Sequence, residues 1–487
     1  IMPSLVGSEM CIRDRFKPVD LTIGSPWKVM LFFAVPILLS TLLNNAFSLI
    51  NALVLKSTVG GDSVTAINST GNISSILFNF AYGCTSGFAV LASNKFGQKD
   101  NEGLKKVFYS SLYICLVLAI LIMTIGLILY PKLLEILNVN EIYREKAGNY
   151  FQIILISFIF MLLNNNLGNI LRAIGNSIAP LVISLICTLI NIAFAYLFTG
   201  AIKLDTRGVA IATLLANFIN FSLTAIYIYK KYPEFHLTKE GAKFDKNMTS
   251  NLLKLGIPLG FQWSILFIGS FVQSRQVNLF GDGLATKAVT CYSPFEGYIT
   301  IPLSVMSSAL LSFVGQNYGA GYFDRIKKGI KECILIDIIF YIFILLITIP
   351  LIKYVPYIFL PATDLEGQAG ELIKFYSNTY LYIVTPSLIL QGLLQLSRSS
   401  LQGIKKPMIP FLSGVGELVA RILVCLFIPS LINPSNPFSN ESYVGICFST
   451  PSAWLVSVLI MGLSSIYIIF IKGLENSNHI SLKNSNQ

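Results

Sequence analysis

Few residues in this sequence could do covalent or proton-transfer chemistry. The two histidines, His236 and His479, fall in a polar loop and in the polar carboxyl-terminal tail. They offer no His-based metal set and no nucleophile–base pair, and they read as solvated surface groups. The eight cysteines show neither a CxxC nor paired spacing, and from Cys84 onward they sit within or at the ends of apolar runs, where a thiol acts as packing. What remains is a set of polar side chains at helical intervals inside apolar runs. Ser40, Asn44, Ser48 and Asn51 follow steps of four, four and three, which is one helical face. Asn68, Asn72, Ser75, Asn79 and Tyr82 repeat the pattern, as do Thr213, Asn217, Asn220 and Thr224, and Gln273 adds an amide further on. Such residues either line a shared hydrogen-bonding cavity or tie helix to helix, the second role being worth about 0.6–2 kcal/mol each.

Two acids lie among them. Glu296 shares a face with Ser293, Thr300, Ser304 and Ser307, and a carboxylate there could couple an ion because it changes charge and offers hard oxygen ligands. A structural or interfacial acid is the competing reading. Glu417 stands four residues before Arg421, the favourable order for an intrahelical pair, so it is either a structural partner or a second coupling candidate. Arg172 and Arg398 end apolar runs and read as ordinary interfacial anchors, while Lys56 has the reach to snorkel. No acid pair, His cluster or base-activated nucleophile stands at a membrane face, so neither an enzyme nor a cofactor is expected.

The elements that hold these residues follow from composition. With 487 residues, 54% of them hydrophobic, 12% charged and a mean hydropathy of +0.68, the chain is too apolar for a soluble domain. A helix crosses about 30 Å of hydrocarbon with roughly 20 apolar residues. Twelve such runs can be placed, the first beginning near residue 28 and the last near 443. Barrel strands would be shorter and would alternate polar with apolar. The net charge of +11 does not point to nucleic acid, because most of the 35 Lys and Arg lie in the amino-terminal tail and in every second loop. By the positive-inside rule both termini are cytoplasmic. Pro36, Pro258, Pro302 and Pro386 fall inside runs, where each removes a backbone donor and makes either a hinge or a fixed kink.

The chain also repeats itself. "SNKFGQKDNEGLKK" at Ser93–Lys106 and "GQNYGAGYFDRIKK" at Gly315–Lys328 align without a gap at an offset of 222 residues, which pairs Gly97 with Gly319 and Lys106 with Lys328. The register also pairs Pro36 with Pro258 and Gly61 with Gly283, and "IGNSIAP" ending at Pro180 matches "GIKKPMIP" ending at Pro410 at an offset of 230. Six spans followed by six matching spans share one orientation, as in the parallel repeats of transporters. The fold class is therefore all-α integral membrane, with two six-helix lobes. The expected divisions are an amino-terminal lobe at 16–230, a cytoplasmic loop at 231–248, a carboxyl-terminal lobe at 249–472 and a tail at 473–487. Residues 1–15, with "EMCIRDR", break from this composition and resemble the in-frame translation of a sequencing-library end, a gene-assembly scar.

"DLTIGSPWKVMLFFAVPILLSTLLNNAFSLI" from Asp20, "GVAIAT" from Gly208, "FVGQNYGAG" from Phe313 and the two Gly-Pro segments resemble the multidrug and toxic compound extrusion (MATE) family over Asp20 to about Lys472. The likeness is closer to its DinF-like than to its NorM branch. It implies a V-shaped pair of lobes and a monomer in the plasma membrane. It also implies export of small organic, cationic or amphipathic compounds by alternating access, in antiport with Na⁺ or H⁺. The family pattern would place acids where this chain has Asn51, Ala195 and Leu266, so coupling, if present, falls to Glu296 or Glu417. Flipping of lipid-linked oligosaccharides or lipids, as in related members of the larger superfamily, is the alternative.

Overall fold

The computed structural model describes residues 19–59, 63, 66–67, 70–136, 141–236 and 244–474, except for the side chains of 47–56, 72, 73 and 136. Residues 1–15, Asn68, His479 and nearly all of the tail lie outside that set, as do the side chains of Ser48, Asn51, Lys56 and Asn72.

The apolar runs form long helices. In the first half these are α1 (Pro26–Thr58), α2 (Gly71–Gly97), α3 (Asn101–Ile136), α4 (Glu141–Ala173), α5 (Ile178–Tyr196) and α6 (Asp205–Lys231). In the second they are α7 (Lys246–Val277), α8 (Leu284–Ile299), α9 (Ile301–Ala320), α10 (Phe323–Leu351), α11 (Gly367–Gly403), α12 (Met408–Ile432) and α13 (Ser449–Ser465). Among the described residues eleven stretches are long and apolar enough to cross a membrane, and α8 with α9, taken as one span, makes a twelfth bent by 41°. The bend falls at Thr300, and Pro302 opens α9, where its missing N–H removes a bond that would have continued α8. The polar face expected on one continuous helix is therefore split, with Glu296 before the joint and Ser304 and Ser307 after it. Large side chains such as Phe32, Ile128 and Leu346 point outward, more than two-thirds exposed, as a lipid-facing surface requires.

Each half builds its own core, and each lends the first turns of its opening helix to the other. Met30 and Phe33 of α1 are buried among α8–α13 residues such as Phe313 and Leu401, while Leu252 and Leu255 of α7 are buried with Phe88 and Leu167 of the first half. Met30 and Leu252 stand 222 residues apart, as do Phe33 and Leu255, so the exchange is reciprocal.

The repeated glycine motif explains how the halves meet. A Cβ on Gly97 would run into the Gln316 carbonyl, and one on Gly319 would run into the Asn94 carbonyl. The two contacts are the same contact written once in each half, and only glycine permits the backbones this approach. Gly83 and Gly87 of α2 likewise leave no room for a Cβ against the backbone of Leu259 and Gly256 of α7. The segment before α1 completes the seal. Leu21 is fully buried, its N–H donates to Gln316 Oε1 at 2.9 Å, and its carbonyl accepts from Asn317 Nδ2 and Arg325 Nη2, both at 3.2 Å. Gln316 Nε2 in turn donates to the Ala173 carbonyl at 2.8 Å and Asn94 Nδ2 to that of Gly403 at 3.3 Å. At this lysine-rich end the halves are stitched together. At the opposite end the contacts traced among the described residues are internal, such as Lys146–Asp205 (2.8 Å) in the first half and Lys287–Asp364 (2.8 Å) in the second.

Candidate functional site

A cavity of about 490 Å³ opens inside the first half. Ser40 and Asn44 face it from α1, Asn217 and Asn220 from α6, and Thr188 and Asn191 from α5. Helix α4 contributes Asn164, Asn165, Gly168 and Arg172, a stripe at helical spacing. The residues between them turn the other way and fix the wall, since Asn166 Nδ2 donates to Ser111 Oγ at 2.9 Å and Asn169 Nδ2 to Thr85 Oγ1 at 3.0 Å. Asn217 Nδ2 is oriented by Ser157 Oγ at 2.9 Å, and Thr224 Oγ1 donates to Asn164 Oδ1 at 3.2 Å.

This cavity adjoins a cleft between the halves of about 450 Å³, faced by Asn44, Asn45, Tyr82 and Arg172 on one side and by Thr300, Ser304 and Ser308 on the other. Glycine-lined packing of α2 against α7 and α9 lies between the cleft and the lysine-rich end. Deeper on the second half, Trp263, Arg398 and Glu417 face Tyr82 and Ser86 across a smaller space of about 280 Å³. Leu266 lies in that wall, whereas Ala195 is buried.

The second half holds a cavity of about 350 Å³ lined by Gln273, Glu296, Tyr380, Arg421, Thr450 and Trp454. Glu296 is half-buried, and its Oε2 accepts from Tyr380 Oη at 2.9 Å; the Tyr380 ring is stacked on Tyr292 at 3.8 Å. Behind it lies a buried ionic cluster. Glu417 accepts from Arg421 Nη2 at 3.4 Å and from Ser457 Oγ at 3.2 Å, with Arg398 Nη2 at 4.0 Å. Arg421 Nη1 donates to Gln273 Oε1 at 2.7 Å, which also accepts from Thr450 Oγ1 at 3.2 Å. The i,i+4 pair read from sequence is thus the centre of a larger network on four helices.

Several expectations need correction. Arg172 and Arg398 are not interfacial anchors: Arg172 lines the first cavity, and Arg398 is 7% exposed, with its guanidinium over the Trp263 ring at 5.4 Å. Each guanidinium is held by groups inside the protein, Arg172 by Asn169 and Arg398 by Glu417 and Trp263. Asn79 does not face these cavities, because its amide donates to the Ser75 carbonyl of its own helix at 2.8 Å. Asn44, Asn217, Asn220, Gln273, Glu296 and Glu417 do line them. Pro36, Pro258 and Pro386 lie inside α1, α7 and α11, and the Pro386 carbonyl accepts from Tyr341 Oη at 2.8 Å. One acid escaped the sequence reading. Asp337 in α10 is 2% exposed, and its Oδ1 has no partner among the described residues.

Outside the spans, two charges of the lysine-rich end are displaced from their ordinary range. Hydrogen bonds from Lys95 Nζ (2.6 Å) and the Gly103 N–H (2.8 Å) hold the Asp100 carboxyl below the usual carboxylate range. Burial, aided by the nearby Lys95 charge, brings Lys405 down to about 8.

Comparison with known proteins agrees with this geometry. The MatE family model matches residues 36–197 and 258–427. The probable multidrug resistance protein YoeA of Bacillus subtilis is 29% identical over 314 residues, 63% of this chain and 68% of its own. An FAD transporter of Shewanella oneidensis is 23% identical over 468 residues, covering 94% of this chain and 96% of its own. The outward-facing conformation of a multidrug resistance MATE family transporter superposes with a TM-score of 0.84 at 18% identity, over 93% of this chain and 98% of that one.

Proposed function

We propose, from the premise that this chain belongs to the MatE family, that it is a multidrug-type secondary transporter that exports small organic compounds by alternating access. The observation that carries this is the pair of polar cavities that meet in a cleft sealed at one end by reciprocal glycine contacts. A cleft closed at one end by close backbone approach and by two exchanged helix starts can open there once the halves rearrange. The lysine-rich end faces the cytoplasm of a plasma membrane by the positive-inside rule, so the arrangement described is outward-facing. Both halves of the cleft come from one chain, and a monomer suffices.

Coupling to Na⁺ or H⁺ falls to Glu296, because it lines a cavity and is held by a single tyrosine hydroxyl, whereas Glu417 is occupied by two arginines. The test is export of ethidium into everted vesicles under imposed Na⁺ or H⁺ gradients, together with drug susceptibility of a pump-deficient host. Glu296→Gln is expected to abolish gradient-driven export and leave thermal stability within about 0.5 kcal/mol of wild type. Undiminished driven export in that variant refutes the coupling role, and a wild type that moves no organic probe refutes export. Relatives of comparable similarity bear different cargo names, so the class of cargo must be read from what the cavities present.

A further inference from the structure

Among its described lining residues the cavity of the first half carries one formally charged side chain, and that charge is positive. Arg172 also faces the adjoining cleft, whose described lining likewise has no acid. Its side-chain partner among the described residues is neutral: Nη2 donates to Asn169 Oδ1 at 2.7 Å, and Asn169 is held in place by Thr85. The arginines of the second half are different, because Arg398 and Arg421 share Glu417. A guanidinium in a partly desolvated pocket without a counter-charge is costly unless something brings the counter-charge. Around it, Asn44, Asn164, Asn217 and Asn220 supply amides that donate to an oxyanion as readily as they accept from a donor. The planar fork of arginine matches the two oxygens of a carboxylate or phosphate.

We propose that this cavity is the subsite for an anionic group, a carboxylate or phosphate, on an amphipathic organic cargo, with Arg172 as its receptor. The inference rests on the export reading of the same cleft. The cavity of the other half holds Glu296 beside Arg421, whose charge is paired with Glu417, so among the described lining residues the unpaired positive charge belongs to the first half and a carboxyl to the second.

The test uses purified full-length protein and two fluorescent probes, 6-carboxyfluorescein for the anion and ethidium for the cation, with binding read by anisotropy. Charge-assisted hydrogen bonds contribute about 1.5–3 kcal/mol, so Arg172→Gln is expected to weaken carboxyfluorescein at least about tenfold. Ethidium affinity should not fall, since a positive charge leaves the lining, and Arg172→Lys should fall between wild type and Arg172→Gln for the anionic probe. Asn220→Asp, which puts a carboxylate into the same lining and leaves Arg172 in place, is expected to weaken the anionic probe as well. The result therefore does not hang on the folding of one variant. Equal carboxyfluorescein affinity in all these proteins overturns the subsite, as does a wild type that binds ethidium but no carboxyfluorescein. Transport in everted vesicles separates the two readings. Arg172-dependent binding without movement of either probe leaves the subsite standing and removes export, whereas ethidium export without carboxyfluorescein binding does the reverse.

Discussion

Replacing both Gly97 and Gly319 by alanine tests the seal between the halves. In the arrangement described, each added Cβ overlaps a backbone carbonyl of the facing helix, Gln316 in one case and Asn94 in the other. A backbone carbonyl cannot rotate away as a side chain can, so α2 and α9 must move apart. Overpacking costs about 1–3 kcal/mol per site. The two sites are equivalent, which puts about 2–6 kcal/mol on the sealed arrangement and none on one in which the halves have parted. Since about 1.4 kcal/mol is a factor of ten, the equilibrium should shift at least about tenfold toward the parted form. Ser93, 2% exposed and packed on Gly315, is a reporter for that opening. With Ser93→Cys as the single thiol, an impermeant maleimide applied to inside-out vesicles should label the double variant at least about ten times faster than the parent. If labelling stays at the parental rate while thermal stability falls, the glycines are ordinary packing residues and the reasoning fails.

Two further outcomes are expected. Glu417→Gln leaves Arg398 and Arg421 buried without a counter-charge, at 7% exposure each, and should lower stability by about 3–5 kcal/mol in detergent unfolding; a loss under about 1 kcal/mol would contradict the buried network. Lys405 is brought down to about 8 in the folded protein, from 10.5. Between those values the unfolded chain binds more protons, so stability should rise with pH from about 8 toward 10.5 and be flat below that window. Melting curves across it should lose the rise in Lys405→Gln.

Much of the architecture was legible because a spanning helix must be long and continuously apolar, and because the repeat writes the same punctuation twice. The Glu417–Arg421 pair was legible because both partners lie on one helix. The rest depends on tertiary approach. Arg172 looks like an anchor in sequence, since a basic residue at a helix end is ordinary, and only the packing of α1, α5 and α6 around α4 makes it part of a cavity wall. The run Asn164–Asn166 does not spell a single-face stripe, because Asn164 and Asn165 face the cavity while Asn166 turns to Ser111, although three amides in an apolar helix are themselves a signal. Asp337, alone in "LIDIIF", carried the same signal. The break at Thr300 needed both Pro302 and the packing that bends α8 away from α9.

The turn-forming lead-in at Asp20–Gly24 decides which half the start of α1 travels with. It is covalently part of α1, yet Gln316, Asn317 and Arg325 of the other half hold it, and Trp27 N–H donates to Glu332 Oε2 at 2.9 Å. Met30 and Phe33 sit in the core of that same half, so in an exporter that alternates access the lead-in and the first turns of α1 stay with the second half as the halves part, and the bending falls on α1 at Pro36 and beyond.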